Sequence, residues 1–191
     1  IVILAAGQGK RMHSDLPKVL QPVAGRPMAE RVVRAALKAG GAPVVVVVGH
    51  GGDLVRERLS SFDGVEFARQ AQQLGTGDAL KCALPALDLG EAQTLVLLGD
   101  VPLITPESIK ALCEKAGEGV GILTLILEDP TGYGRIVTKD GRVQRIVEQK
   151  DASEEEKAIR EVNSGIMVLP TAKLAGWLGR LGNSNAQGEY Y

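Results

Sequence analysis

The sequence predicts an α/β fold: an open, mostly parallel mixed sheet flanked by helices and carrying an antiparallel hairpin insertion. Three observations carry that prediction. As far as Gly119, short β-branched apolar runs alternate with stretches of helical spacing, the pattern of strand, crossover and strand. The valine run in "PVVVVVG" has no polar face, as a strand buried on both sides requires. Beyond Gly119, Asp140-Gly141 joins two alternating runs, the strongest short hairpin signal.

The elements follow in order. "IVIL" is a strand ended by Ala-Ala-Gly, and "AERVVRAALKAGG" is a helix stopped by Gly40 and Gly41. "PVVVVVG" is the next strand, "DLVRERLSS" a helix with Asp53 near its start, and "GVEFA" a strand. "GTGDALKCALPAL" is a helix opened by Thr76, and "TLVLLGD" a buried strand. "TPESIKALCEKAGEG" is a helix capped by Thr105 with Pro106 at its first position. Right-handed parallel crossovers through these elements put a ligand beyond the carboxyl ends of the strands. "GILTLIL" is a strand, "GRIVTKDGRVQRIVE" a hairpin, "SEEEKAIREV" a helix and "SGIMVL" a strand. "TAKLAGWLGRL" is a last helix closed by Gly182 and Asn183. Trp177, spaced with Leu174 and Leu181, reads as core.

At 191 residues with 45% hydrophobic content, the chain can bury one core, and one domain is expected. A net charge of -1 and a pI near 6.2 give no global field for nucleic acid or an anionic membrane. Cys82 and Cys113 fit no metal spacing and are too few for a disulfide scaffold. A reduced, cytoplasmic setting is expected, and no run reaches the length of a membrane span. The chain starts on Ile1 inside a strand and stops at Tyr191, so it is expected to be trimmed at both ends.

The opening "IVILAAGQGKRMHSDLPKVL" places glycines and cations directly after a buried strand. Backbone amides freed by Gly7 and Gly9 can surround phosphate oxygens, and nearby cations would complete such a site. A P-loop fails on spacing, since Leu4 and Arg11 occupy its Gly and Ser/Thr places; the dinucleotide fingerprint fails at Met12. A Gly-rich turn with solvated Lys and Arg remains the alternative from these residues alone.

The longer string "LAAGQGKRM" with "LPK" resembles the signature of the sugar nucleotidyltransferase family. "GHGGDLV", "QLGTGDA", "LGDVPLI", "DPTGYGRI", "VEQKDA", "EVNSGI" and "NAQGEYY" follow in order, similar to motifs of its bacterial N-acetylglucosamine-1-phosphate uridylyltransferases. The resemblance runs from Ile1 to Tyr191. It implies a Rossmann-like nucleotide-diphospho-sugar transferase fold and a magnesium-dependent reaction. In that reaction UTP and N-acetylglucosamine 1-phosphate give UDP-N-acetylglucosamine, a cell-wall precursor, and pyrophosphate.

Carried over motif by motif, the resemblance implies catalytic roles for Arg11, on the leaving pyrophosphate, and Lys18, bridging the reacting phosphates; Lys10 is left as surface charge. It implies Mg²⁺ on Asp100, where a capping Asp before Pro102 is the alternative. Leu4, Ala5, Ala6 and Gly7, with Leu98 and Gly99, would line the nucleotide pocket. Gln70, Gly75 and Thr76 would read uracil, an amide suiting an imide edge. Gly134, Glu148 and Asn163 would hold the sugar; singly each reads as a turn or exposed strand residue, and only their joint order favours function. His13, His50, Cys82 and Cys113 are expected to be structural, and "SEEEK" a solvated helix start. The sequence departs from the family at Lys10, commonly Thr, and at Leu98, often bulkier. Beyond Tyr191 the family has a second metal ligand, an Asn, and a β-helix acetyltransferase domain through which full-length members trimerise. Transfer with another base or acceptor, or a non-catalytic nucleotide-binding module, stay open as alternatives.

Overall fold

The computed structural model describes the chain except Gln8, Lys10, Arg11, Ala42, Leu89, Glu91, Ala92, Gln187 and Tyr191. The expectations for Arg11 and Lys10 therefore lie outside the described residues.

Four strands form the parallel half: β1 (Val2–Ala5), β4 (Val44–Val48), β5 (Val65–Arg69) and β6 (Gln93–Leu98). β1 lies in parallel between β4 and β6, and β5 flanks β4. The chain thus winds outward from β1 in one direction and returns to its other side at β6, leaving a topological switch point there. The antiparallel half consists of β7 (Gly121–Ile126), β8 (Arg135–Lys139), β9 (Arg142–Val147) and the long β10 (Glu161–Pro170). β10 pairs antiparallel with β6, β7 and β8, and β8 pairs with β9. The spatial order is β5-β4-β1-β6-β10-β8-β9, with β7 also on β10.

Alternation along the buried strands sorts the helices into two layers. Ile3, Val46 and Leu97 face α1 (Met28–Lys38), α2 (Gly52–Leu59) and α4 (Pro106–Ala116). Val2, Val45, Val47 and Val96 face α3 (Thr76–Ala83) and α6 (Thr171–Gly179). All five valines of β4 are buried, as the apolar run requires. Thr105 caps α4 by accepting from the Ser108 amide, with Pro106 at the first position, and Asp140 and Gly141 turn the β8–β9 hairpin with φ of 51° and 73°.

Several elements differ from expectation. The helix expected over "SEEEKAIREV" is only α5 (Glu154–Lys157). Its Ser153–Glu156 capping box starts it, but Glu161, Val162 and Asn163 are drawn into β10, where Val162 pairs with Leu125 and is fully buried. The last helix ends at Gly179 with Arg180 as C-cap, before Gly182 and Asn183. Its inward face is Leu174 and Leu178; Trp177 is half-buried with the Lys173 ammonium 5.9 Å over its ring. A small hairpin of β2 (Pro22–Val23) and β3 (Arg26–Pro27) was not expected. It turns on Ala24 and Gly25 at φ of 46° and 76° and is held by Arg31, which donates to the carbonyls of Val23 and Ala24. Cys82 and Cys113 are free, half-buried thiols that pack against the two core clusters, and burial pushes both thiols up. His13 and His50 are exposed. No helix among the described residues is long and apolar enough to cross a membrane.

Candidate active site

Three of the four parallel strands release a sequence-expected residue just past the carboxyl end: Ala6 and Gly7 after β1, Gln70 after β5, and Gly99 and Asp100 after β6. This is the edge at which open α/β sheets take ligands. Ala5 and Ala6 are buried, on opposite core layers, so these two residues can meet a ligand only through their backbone. Nothing stands within 4 Å of where a Gly7 Cβ would be. At Gly99, by contrast, a Cβ would press on Ala5, Val19 and the Leu4 carbonyl at 3.2 Å, and its amide donates to that carbonyl at 2.9 Å. The β1 and β6 ends are thereby stitched together at the switch point.

Lys18 reaches this edge from a 3-10 turn, Lys18–Leu20, anchored by buried Val19 and Leu20. Its Nζ donates to Asp100 Oδ2 at 2.6 Å, with the two side chains 34% and 31% exposed. A cation and a carboxylate expected from motifs 82 residues apart thus meet in a solvent-reached position, where either can turn to a ligand.

The base-side loop is organised by Gln70, which is 4% exposed. Its Nε2 donates to the Gly75 carbonyl at 3.1 Å and to Asp78 Oδ2 at 2.7 Å. Two oxygen acceptors fix the amide orientation and use both its hydrogens, leaving Oε1 as an acceptor. Thr76 starts α3 and is exposed, with Gly75 as its N-cap at φ of 117°. Two residues here escaped sequence reasoning. Gln73 donates to the Ala6 carbonyl at 2.9 Å, tying this loop to the β1 loop. Tyr190 straps it down: its amide donates to Leu74 O at 2.7 Å and its carbonyl accepts from Gly77 N at 2.8 Å. Neither contact has a local signal, because each spans more than 60 residues of chain.

Beside this edge opens a cleft of about 850 Å³ between α3, α6 and strands β6, β9 and β10. Leu4, Thr76, Leu98, Glu148 and Asn163 line it, joining nucleotide-side and sugar-side expectations in one space. Trp177 is on its wall rather than in the core. Lys18, Gln70, Gly75, Gly99, Asp100 and Gly134 are not among the lining residues. Gly134 is nevertheless joined to the sugar-side pair. Its carbonyl accepts from the Asn163 amide at 2.8 Å, and a Cβ on it would stand 2.7 Å from Glu148 Oε1. Asn163 Oδ1 accepts from the Gly165 amide at 2.9 Å. Burial, followed by the carboxylate of Asp151, pushes the Glu148 carboxyl up; Arg135 pulls it down, and Glu189 raises it further. Among the described residues no three His, Cys, Asp or Glu cluster as a metal-holding group.

The family model described as MobA-like NTP transferase domain matches residues 1–163. Curated proteins named bifunctional protein GlmU are similar over the whole chain. That of Dechloromonas aromatica (strain RCB) is 57% identical over 192 residues, 100% of this chain and 42% of its own length. That of Cupriavidus pinatubonensis (strain JMP 134 / LMG 1197) is 60% identical over 193 residues, again 100% of this chain and 42% of its own. The chain therefore spans about 42% of these relatives. Among solved structures, a UDP-glucose pyrophosphorylase complexed with UDP-glucose superposes with a TM-score of 0.77 at 18% identity, over 99% of this chain and 81% of that one. That likeness shows the fold.

Proposed function

The chain belongs to the MobA-like NTP transferase domain family, and on that premise we propose that it transfers UMP from UTP to N-acetylglucosamine 1-phosphate, releasing pyrophosphate. The observation that carries the proposal is the Lys18–Asp100 pair, 2.6 Å apart at the switch point beside a cleft bearing Glu148 and Asn163. The choice of uridine and of the N-acetylglucosamine acceptor rests on the motif series and on the similarity to proteins named GlmU.

In this reaction a phosphate oxygen of the acceptor attacks the α-phosphorus of UTP in line. A new P–O bond forms, the bond to the β-phosphate bridge breaks, and pyrophosphate leaves with that electron pair. The nucleophile is already an anion, so no strong base is needed; the protein's work is to align two polyanions and offset charge. The β1 loop presents backbone to the triphosphate, and Lys18 meets the reacting phosphates by exchanging its Asp100 partner for phosphate oxygen. Arg11 is assigned to the leaving pyrophosphate. A hard cation takes one or two protein oxygens and keeps waters, and a part-exposed carboxylate beside a phosphate site suits that donor set. Asp100 would hold Mg²⁺, which when bound supplies charge neutralisation on the triphosphate. The free Oε1 of Gln70 accepts from the N3–H of uracil; cytosine offers a lone pair there instead. Glu148 accepts from acceptor hydroxyls, and Asn163 serves hydroxyl or acetamido groups.

The test is pyrophosphate release across a panel of nucleoside triphosphates and sugar 1-phosphates. The expected result is a maximum with UTP and N-acetylglucosamine 1-phosphate. A maximum with another base or acceptor would replace the substrate assignment, and no release with any pair would overturn the reaction.

A further inference from the structure

Among the described residues, the antiparallel half holds one buried charge that this mechanism leaves unused. Arg135, the first residue of β8, is 1% exposed, although a strand arginine beside a hairpin reads as a solvated surface residue. Its guanidinium donates to the Tyr133 carbonyl, to Gln149 Oε1 at 2.7 Å, and from Nε and Nη2 to the Lys157 carbonyl at 3.4 and 3.3 Å. Gln149 Oε1 also accepts from the Gly132 amide at 3.2 Å. These acceptors are backbone carbonyls and an amide oxygen, so the fork is satisfied while its charge is left uncompensated by them.

Two of the three segments it ties together carry the proposed sugar-side residues. Gly134 lies between Tyr133 and Arg135, and Glu148 directly precedes Gln149. Glu148 Oε1 sits where a Gly134 Cβ would be 2.7 Å away, so a small relative shift of the two segments closes or opens that contact.

We propose that Arg135 is a positioning residue for the acceptor: its guanidinium clamps the 132–134 turn to the 148–149 turn and so aims the Glu148 carboxylate at the acceptor sugar. This rests on the transfer reaction proposed above. The electrostatics agree with the geometry. Glu148 is surrounded by burial and by the carboxylates of Asp151 and Glu189, and Arg135 is the charge that lowers its pKa. Arg145, which lines the same cleft from β9, is ion-paired to Glu156. Arg135 therefore both fixes the direction of Glu148 and opposes the upward pull of its surroundings on that carboxyl.

The experiment compares wild type with Arg135→Lys, Arg135→Gln and Gln149→Leu, varying UTP and N-acetylglucosamine 1-phosphate separately across a pH series. Arg135→Lys and Gln149→Leu should raise the acceptor KM about 10-fold, the scale of one lost charge-assisted hydrogen bond. The KM for UTP and kcat should stay within about twofold, since neither variant touches the phosphates. Arg135→Lys retains the charge and should keep the pH profile of acceptor kcat/KM, whereas Arg135→Gln should move its acid limb to higher pH. An unchanged acceptor KM overturns the proposal, as does a parallel loss of both substrates' kcat/KM that follows the fall in Tm. Should the Arg135 variants not fold, Gln149→Leu decides, because Gln149 is only half-buried and its loss removes the same clamp. A wild type that releases no pyrophosphate overturns the transfer reaction and this proposal with it; an active wild type with indifferent variants overturns the clamp alone.

Discussion

The two halves of the sheet hold their site residues by different means. In the parallel half, β4 is buried along its whole length and β1 is stitched to β6 through Gly99 and Leu4. The reacting-phosphate groups there, Lys18 on its 3-10 turn and Asp100 just past the end of β6, are anchored on a dense two-layer core and pair with each other; the base-side loop adds polar ties, through Gln70, Gln73 and Tyr190. In the antiparallel half, β9 is exposed over its first four residues. Its site groups are held by polar contacts: the Arg135 fork, the Gln149 bridge, and the Asn163 amide on Gly134. A packed scaffold tolerates loss of one polar contact, whereas a thin layer held by a few of them does not. Chemistry should therefore be separable from stability in the first half and entangled with local geometry in the second.

The largest expected effect sharpens the first side of that contrast. Lys18→Ala should lower kcat by on the order of 10²- to 10³-fold, as removal of one group that stabilises developing charge does. Its melting temperature should hardly move, because a part-exposed ion pair contributes only about 0–1 kcal/mol. A large fall in Tm with unchanged activity per folded molecule would break the separation. Next, Gly75→Ala should destabilise the base-side loop. Its φ of 117° is strained for any side chain, and the new Cβ would meet the Tyr190 carbonyl at 2.4 Å. A backbone penalty of about 1–3 kcal/mol would appear as a lowered Tm in calorimetry and a weakened affinity for UTP. An unaltered melt would show that Tyr190 does not strap this loop.

Base choice is a smaller, finer test. Wild type should favour UTP over CTP by about 10-fold or more in kcat/KM, the consequence of facing two acceptors across a buried contact. In Gln70→Leu that ratio should approach one. The smallest effect lies in the antiparallel half. Because the folded-state pKa of Glu148 is raised, its favourable contribution is complete below its unfolded pKa and is lost as pH rises through the folded value. At neutral pH, Glu148→Gln should thus raise Tm slightly while raising the acceptor KM, and the Tm gain should vanish in acid. A lowered Tm at neutral pH would mean that Glu148 is held by attraction rather than merely tolerated.

Much of the parallel half was legible in sequence because its determinants are local: a valine run, Thr105 before Pro106, glycines after β1. Crossover rules gave the ligand edge beyond the carboxyl ends of the parallel strands, whereas the order of strands and the direct pairing of Lys18 with Asp100 appear only in the fold. The antiparallel half was less so. "SEEEK" with "AIREV" has helical composition, yet the pairing of Glu161, Val162 and Asn163 with β7 outweighs it, as tertiary contacts override weak propensity. The β2–β3 hairpin has two-residue strands containing prolines, too short for any alternation. Arg135, Gln73 and Tyr190 lie within "DPTGYGRI", "QLGTGDA" and "NAQGEYY", yet no role was read for them, because what each does lies in burial or in a bond to a carbonyl that the motif itself does not show.

The most direct test of the contrast is one set of steady-state kinetics in which the acceptor is varied at saturating UTP for Lys18→Ala and Asn163→Ala side by side. The expected result is a split: Lys18→Ala loses kcat with the acceptor KM within about threefold, while Asn163→Ala raises the acceptor KM with kcat largely kept. A Lys18→Ala variant whose only defect is acceptor KM, or an Asn163→Ala variant whose only defect is kcat, would contradict the assignment of chemistry to the parallel half and acceptor binding to the antiparallel one.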